Sequence, residues 1–288
     1  MRFSLLIVAI LALSACTPGV GVDSWIYEIN LTWMPDLEEG RYAAWAVNDA
    51  GDAVLVMEYT TGAGDSAEVS VDPADFDEII VSIHPSDGQL TEPSAAVFFR
   101  APLEEWGGSL QNEIPVQSVS GSGTMWTPTD GSPDDATSGM WFGADDEGEL
   151  LPSLLVPVLT EGFRWESWVE TDDTVLSMGR FARPDGRDDV CLYCDSVEDP
   201  PMVPGEDFLF DLPTTLDSVN LADGGSRTWV TLEPDLEGVD PTGDGSFFTV
   251  LARDIDYEQE PGVSIELFGP DMPGILGSVN ILTPGYEG

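Results

Sequence analysis

Lysine is absent from this chain, and its nine basic residues are all arginines, set against 54 aspartates and glutamates. The formal net charge is -45 over 288 residues. Without lysine there is no Schiff-base amine, no Ser-Lys dyad and no phosphate-loop lysine. The few arginines form no cluster able to release counterions from a nucleic acid or to hold anionic lipid, so nucleic acid is excluded as a partner. Histidine occurs once, at His84, which rules out a His-Glu-x-x-His metal site; no Gly-x-Ser-x-Gly elbow accompanies it. His84 is expected at a strand end on the surface. Cysteine occurs three times, at positions 16, 191 and 194. What remains is ample for a core: 42% of residues are hydrophobic and nine are tryptophan, which excludes wholesale disorder.

The amino terminus has its own chemistry. Met1-Arg2 precedes the apolar run Phe3–Leu13, too short for a bilayer core of about 30 Å, and the run ends in Leu13-Ser14-Ala15-Cys16. This has the form of a secretory signal and resembles the bacterial lipobox, which implies cleavage after residue 15 and lipidation of Cys16. Thr17, not aspartate, follows the cysteine. The resemblance therefore implies an envelope protein held by its lipid at the outer membrane in preference to the inner one. With residues 1–15 removed, eight arginines face 54 acids, so the mature charge is 8 − 54 = -46.

Beyond the signal, short runs rich in Val, Ile, Trp, Tyr and Phe alternate with Gly, Pro, Asp and Ser clusters. Ala53–Met57, Ile79–Ile83 and Phe247–Leu251 are examples. Thirty glycines and 22 prolines supply turns and leave little room for long helices. The pattern predicts an all-β chain of sandwich or barrel type. The runs also repeat. Glu39–Val47 recurs as Glu161–Val169 with one residue inserted after the glycine, Ala53–Met57 as Thr174–Met178, and Val81–Pro85 as Val230–Pro234. Each third block is followed by an apolar strand ending at Arg100 or Arg253. Three blocks in the same order predict an internal duplication: two tandem immunoglobulin-like sandwich units, at 20–119 and 120–288, after a signal at 1–15. The aromatic pairs spaced i, i+3 are expected to be sandwich core.

Val230-Thr231-Leu232-Glu233-Pro234, with Pro241-Thr242-Gly243 shortly after and the strand carrying Trp168-Val169 upstream, resembles the extracytoplasmic C-terminal domain of anti-sigma-K factors. In the first copy His84 stands where the glutamate would be. The resemblance implies a β-rich domain outside the membrane that binds or senses. The sigma-binding helical domain of that family has no counterpart here, so anti-sigma activity is not expected.

Cys191 and Cys194 flank Leu192-Tyr193 in an insertion of the second copy. In an exported protein a loop disulfide is the leading expectation, with a redox pair, half of a metal site or free thiols as alternatives. The neighbouring Asp188, Asp189 and Asp195 oppose the lowered thiolate pKa that redox work needs. Acidic turns at Asp130, Asp134 and Asp135 and at Asp145 and Asp146 offer oxygens of the kind calcium takes, though none has EF-hand spacing. The sequence thus predicts a lipid-anchored envelope protein that binds a protein or small-molecule ligand and is no enzyme. A calcium-dependent structural or adhesive lipoprotein is the alternative.

Overall fold

The computed structural model describes residues 24–104, 107–114, 116–128, 135–146, 149–159, 161–189, 192–193, 201–237, 246–269 and 276–282. Eighteen strands are named in chain order. They are β1 (Trp25–Leu31), β2 (Gly40–Val47), β3 (Ala53–Tyr59), β4 (Gly64–Val69), β5 (Glu78–Pro85) and β6 (Val97–Pro102). Next come β7 (Gly107–Asn112), β8 (Gly121–Met125), β9 (Gly139–Trp141), β10 (Gly143–Asp146), β11 (Glu149–Pro152) and β12 (Phe163–Thr171). The series ends with β13 (Thr174–Phe181), β14 (Gly205–Asp207), β15 (Arg227–Pro234), β16 (Phe248–Asp254), β17 (Ser264–Leu267) and β18 (Gly277–Leu282). The all-β expectation holds: every ladder is antiparallel, and helix among the described residues is limited to single 3-10 turns. No helix among them is long and apolar enough to cross a membrane.

An eight-stranded sheet runs β3-β2-β5-β6-β7-β18-β1-β4, and two four-stranded sheets run β13-β12-β15-β16 and β14-β9-β8-β17. β10 and β11 form a separate hairpin. Residues 277–282, inside the range expected for the second unit, form β18. That strand lies in the first sheet, between β7 and β1.

The repeated sequence blocks occupy matching places. The order β3-β2-β5-β6 in the first sheet is repeated by β13-β12-β15-β16. Trp45 lies opposite Ile80, and Trp168 opposite Trp229. Gly40 faces Pro85 and Phe163 faces Pro234, so Gly40 corresponds to Phe163 in the ladder. The pairing of β5 with β6 slips between Val81 and Ser82, and that of β15 with β16 slips between Val230 and Thr231. β2 and β12 also each carry an irregularity against the following strand, beside Trp45 and Trp168. The ladders place Leu55 opposite Trp45 and Ser177 opposite Trp168, one residue away from the match read in the sequence. A bulge inserts a residue without changing the hydrophobic pattern, so sequence comparison alone misses the shift.

Central strands are buried on both faces and read as nearly continuous apolar runs. In β5, Ile79, Val81 and Ile83 enter the main core, while Ile80, Ser82 and His84 lie on the opposite face. Successive strand residues alternate faces, so aromatics three apart straddle the sheet. Tyr42 and Trp165 therefore belong to the main core, Trp45 joins a smaller cluster with Ala43 and Ile80, and Trp168 stays half-buried on the outer face. One contiguous core links both arrays. Phe98 of β6 meets Phe99, Phe163, Phe247 and Phe248 with ring centroids 5.0 to 6.3 Å apart.

Candidate functional site: a groove on the first sheet

The outer face of the first sheet floors a groove of about 850 Å³. Val47, Ala53, Ile80 and Val97 make the floor, Thr91–Ala95 one wall, and Pro157–Leu159 with Glu161 and Phe163 the other. The floor exists because β2, β3, β5 and β6 put apolar residues on both faces, and the outer set is covered only in part by Leu90. Such a volume is ordinary for a small-molecule site.

Both walls are fixed by backbone approach and buried polar contacts. Gly162 has φ +97, and a Cβ there would lie 2.1 Å from the Ala95 carbonyl oxygen. Only glycine lets the two walls touch here. Gly162→Ala combines left-handed strain with a collision against backbone, each worth roughly 1–3 kcal/mol. A stability loss of about 3 kcal/mol is expected in chemical denaturation, and a loss below about 1 kcal/mol would show that the walls separate freely.

The Thr91–Ala95 wall is tied down at His84. Trp45 Nε1–H donates to Ser82 Oγ at 3.1 Å, which leaves the Ser82 hydroxyl hydrogen for His84 Nε2 at 2.9 Å. The Ser94 backbone N–H also donates to His84 Nε2, at 3.3 Å. The Ser94 amide can only donate, so Nε2 accepts and the neutral ring carries its proton on Nδ1. Burial, followed by the charge of Arg41, lowers the His84 pKa from 6.5 to about 4. His84 is thus buried, not a surface residue, because loop 86–96 folds back over the end of β5. Ser82 is fully buried and held by the indole, an arrangement that fixes a loop and offers no accessible nucleophile.

A pH dependence follows from this. Between pH 6.5 and 4 the unfolded histidine takes up a proton that the folded one refuses, so its contribution to stability is full above pH 6.5 and lost as pH falls toward 4. The loss is on the order of 2–3 kcal/mol. His84→Gln keeps an acceptor for Ser82 and Ser94 and does not titrate. The stability difference between wild type and variant, followed by urea unfolding, should shrink or reverse by about that amount from pH 6.5 to 4. A constant difference would refute the assignment.

The second array repeats part of this arrangement with other residues. Trp168 Nε1–H donates to Thr231 Oγ1 at 2.9 Å, the counterpart of Trp45 with Ser82. Glu233 stands in the ladder where His84 does, and its two carboxylate oxygens accept from the Phe247 N–H at 3.0 and 3.1 Å. Val169, Val230 and Leu232 are in the main core, and Pro234 pairs with Phe163. The motif residues that are described thus build the sheet, and none of them lines the groove. On the outer face, Trp229 stacks on Trp168 with centroids 6.2 Å apart and planes 10° from parallel, and the Arg227 guanidinium lies 5.7 Å from the Trp229 centroid.

Pro241, Thr242, Gly243, Cys16, Cys191, Cys194, Asp130 and Asp134 lie outside the described residues, as does the Asp145 side chain. Asp135 is half-buried in a turn and Asp146 is exposed at the end of β10. No group of three His, Cys, Asp or Glu side chains suited to a metal occurs among the described residues. Between the two cysteines, Leu192 and Tyr193 donate their backbone N–H groups to Glu206 Oε2 at 2.6 and 3.3 Å. Burial, and then the charges of Asp188 and Asp207, push Glu206 up to about 8 against the pull of those two amides.

Sequence reasoning missed the groove because its walls meet only in three dimensions, although Gly162 was visible as the glycine of the repeated block. The arginines offer little to an anion. Arg41, Arg100, Arg164, Arg180, Arg183, Arg227 and Arg253 are each in an ion pair. Among known proteins, the chain matches no family model and no curated protein.

Proposed function

We propose that this is an exported envelope protein, lipid-anchored through Cys16 at the outer membrane, that binds a ligand in the groove of its first sheet and serves in sensing. Two tandem immunoglobulin-like sandwich units, the second resembling the extracytoplasmic domain of anti-sigma-K factors, carry that groove. The supporting observation is the groove itself, with an apolar floor and two walls drawn from sequence-distant segments and held by Gly162 and His84. The Ser82–His84 pair is buried and is not among the residues that line the groove.

Two experiments test the two parts. Expressed in a bacterial host, the wild type should take up labelled lipid and partition into detergent, and Cys16→Ser should do neither; equal membrane association of both forms would exclude the anchor. A fragment screen by NMR should give shifts that gather at Val47, Ile80, Val97 and Val158. Thr91→Trp, an exposed change at the rim, should abolish them. Shifts that scatter over other faces, or that survive Thr91→Trp, would exclude the groove as the site.

A further inference from the structure

Resting on the groove as the binding site, we propose that its ligand is an organic cation, an apolar body carrying a protonated amine. The floor is aliphatic: Val47, Ala53, Ile80 and Val97 present no hydrogen-bonding side chain, so the ligand body in contact with them is apolar. The charges above that floor have one sign in excess. Asp52, Glu92, Glu113 and Glu161 line the groove, against Arg100 alone. Arg100 donates to Glu78 at 2.8 Å and to Glu113 at 3.2 Å, so its fork is already held by carboxylates and is a poor receptor for an anion.

That leaves Asp52, Glu92 and Glu161 as exposed rim carboxylates around an apolar floor, Asp52 also accepting from Asn48 Nδ2 at 3.2 Å. A buried carboxylate pair would cost desolvation, but rim carboxylates keep their hydration and can still accept N–H bonds from an ammonium group. Phe163 is the one aromatic ring in the lining, and it is almost fully buried. Recognition of the cation therefore runs through charge-assisted hydrogen bonds and not through an aromatic cage. The net charge of -45 favours the same sign of ligand by raising its local concentration and repelling anions.

The test uses two small molecules with one apolar body and opposite charge, tryptamine and indole-3-acetate, with the full chain in calorimetry and NMR. Tryptamine should bind with shifts at Ile80, Val97 and Val158, and more weakly as NaCl is raised. Indole-3-acetate should not bind at the same concentration. Glu92→Gln with Glu161→Gln should weaken tryptamine by about tenfold. The remote pair Asp172→Asn with Asp173→Asn removes the same charge from the exposed turn between β12 and β13 and should leave binding within about twofold. Equal weakening by both double variants would reduce the effect to net charge and overturn the proposal. Binding of indole-3-acetate alone, or of both molecules equally, would overturn the cation while leaving the groove as a binding site. Failure of both molecules, with no fragment shifting the groove either, would overturn the cation and the site together.

Discussion

A chain that stops at Gly269 should lose the first sheet. β18 is an interior strand there, paired at six positions with β1 and at four with β7, and Val279 and Ile281 are each 1% exposed. Burial of two such side chains is worth roughly 1.5–3 kcal/mol apiece. The exposed edges of β1 and β7 add unsatisfied backbone groups to that loss. The total approaches the whole stability of an ordinary domain, about 5–15 kcal/mol. Limited proteolysis of the truncated chain should therefore cut within residues 24–112 under conditions that leave the full chain intact. A synthetic peptide of residues 276–288 should restore protection by strand addition. A truncated chain with the melting temperature of the full one would refute the assignment of β18 to this sheet.

Phe98→Ala is expected to cost about 3–5 kcal/mol, the range for a fully buried phenylalanine. The side chain is 0% exposed, and its ring meets Phe163, Phe247 and Phe248 across the seam between the two repeated arrays. Its loss removes the contact centre that makes the arrays one core, so the change should act on cooperativity as well as on stability. Guanidinium unfolding followed by tryptophan fluorescence and by circular dichroism should give coincident curves for the wild type and separated curves for Phe98→Ala. Phe98→Leu, which keeps most of the volume, should preserve coincidence at a smaller loss. Coincident curves for Phe98→Ala with a loss below about 1 kcal/mol would show that the seam is not a coupling element.

Much of the architecture was legible because strand patterning is local. Alternation over Ile79–Ile83, glycine and proline at the turns, and the repeated blocks at Glu39 and Glu161 predict antiparallel strands in a recurring order, and the sheets have that order. β18 was not legible, since nothing local in Gly277–Leu282 says that its partners lie at residues 26–31 and 107–110. The groove stayed hidden for the same reason: Val97 and Val158 are unremarkable residues until loop closure puts them around one space. His84 shows a different limit. Its place at the end of an apolar run suggests a surface residue, and only the hydroxyl of Ser82 and the amide of Ser94 make its burial tolerable.

The place of β1 also decides how the molecule would carry tension. Trp25, where the strand begins, is the end nearest Cys16 in the sequence, and Leu282, where β18 ends, lies opposite Ile26. A load applied ahead of Trp25 and directed along β1 would draw that strand lengthwise between β18 and β4, straining two six-pair ladders at once. A load between residues 25 and 282 would instead open the β1–β18 ladder one pair at a time from the Ile26–Leu282 pair. Forced unfolding is governed by the rate of escape, so the two directions of pull should differ far more in lifetime than any equilibrium measurement reveals. A tether at Cys16, as proposed above, would therefore load β1 from its first residue, and its two ladders would share whatever part of the force runs along the strand.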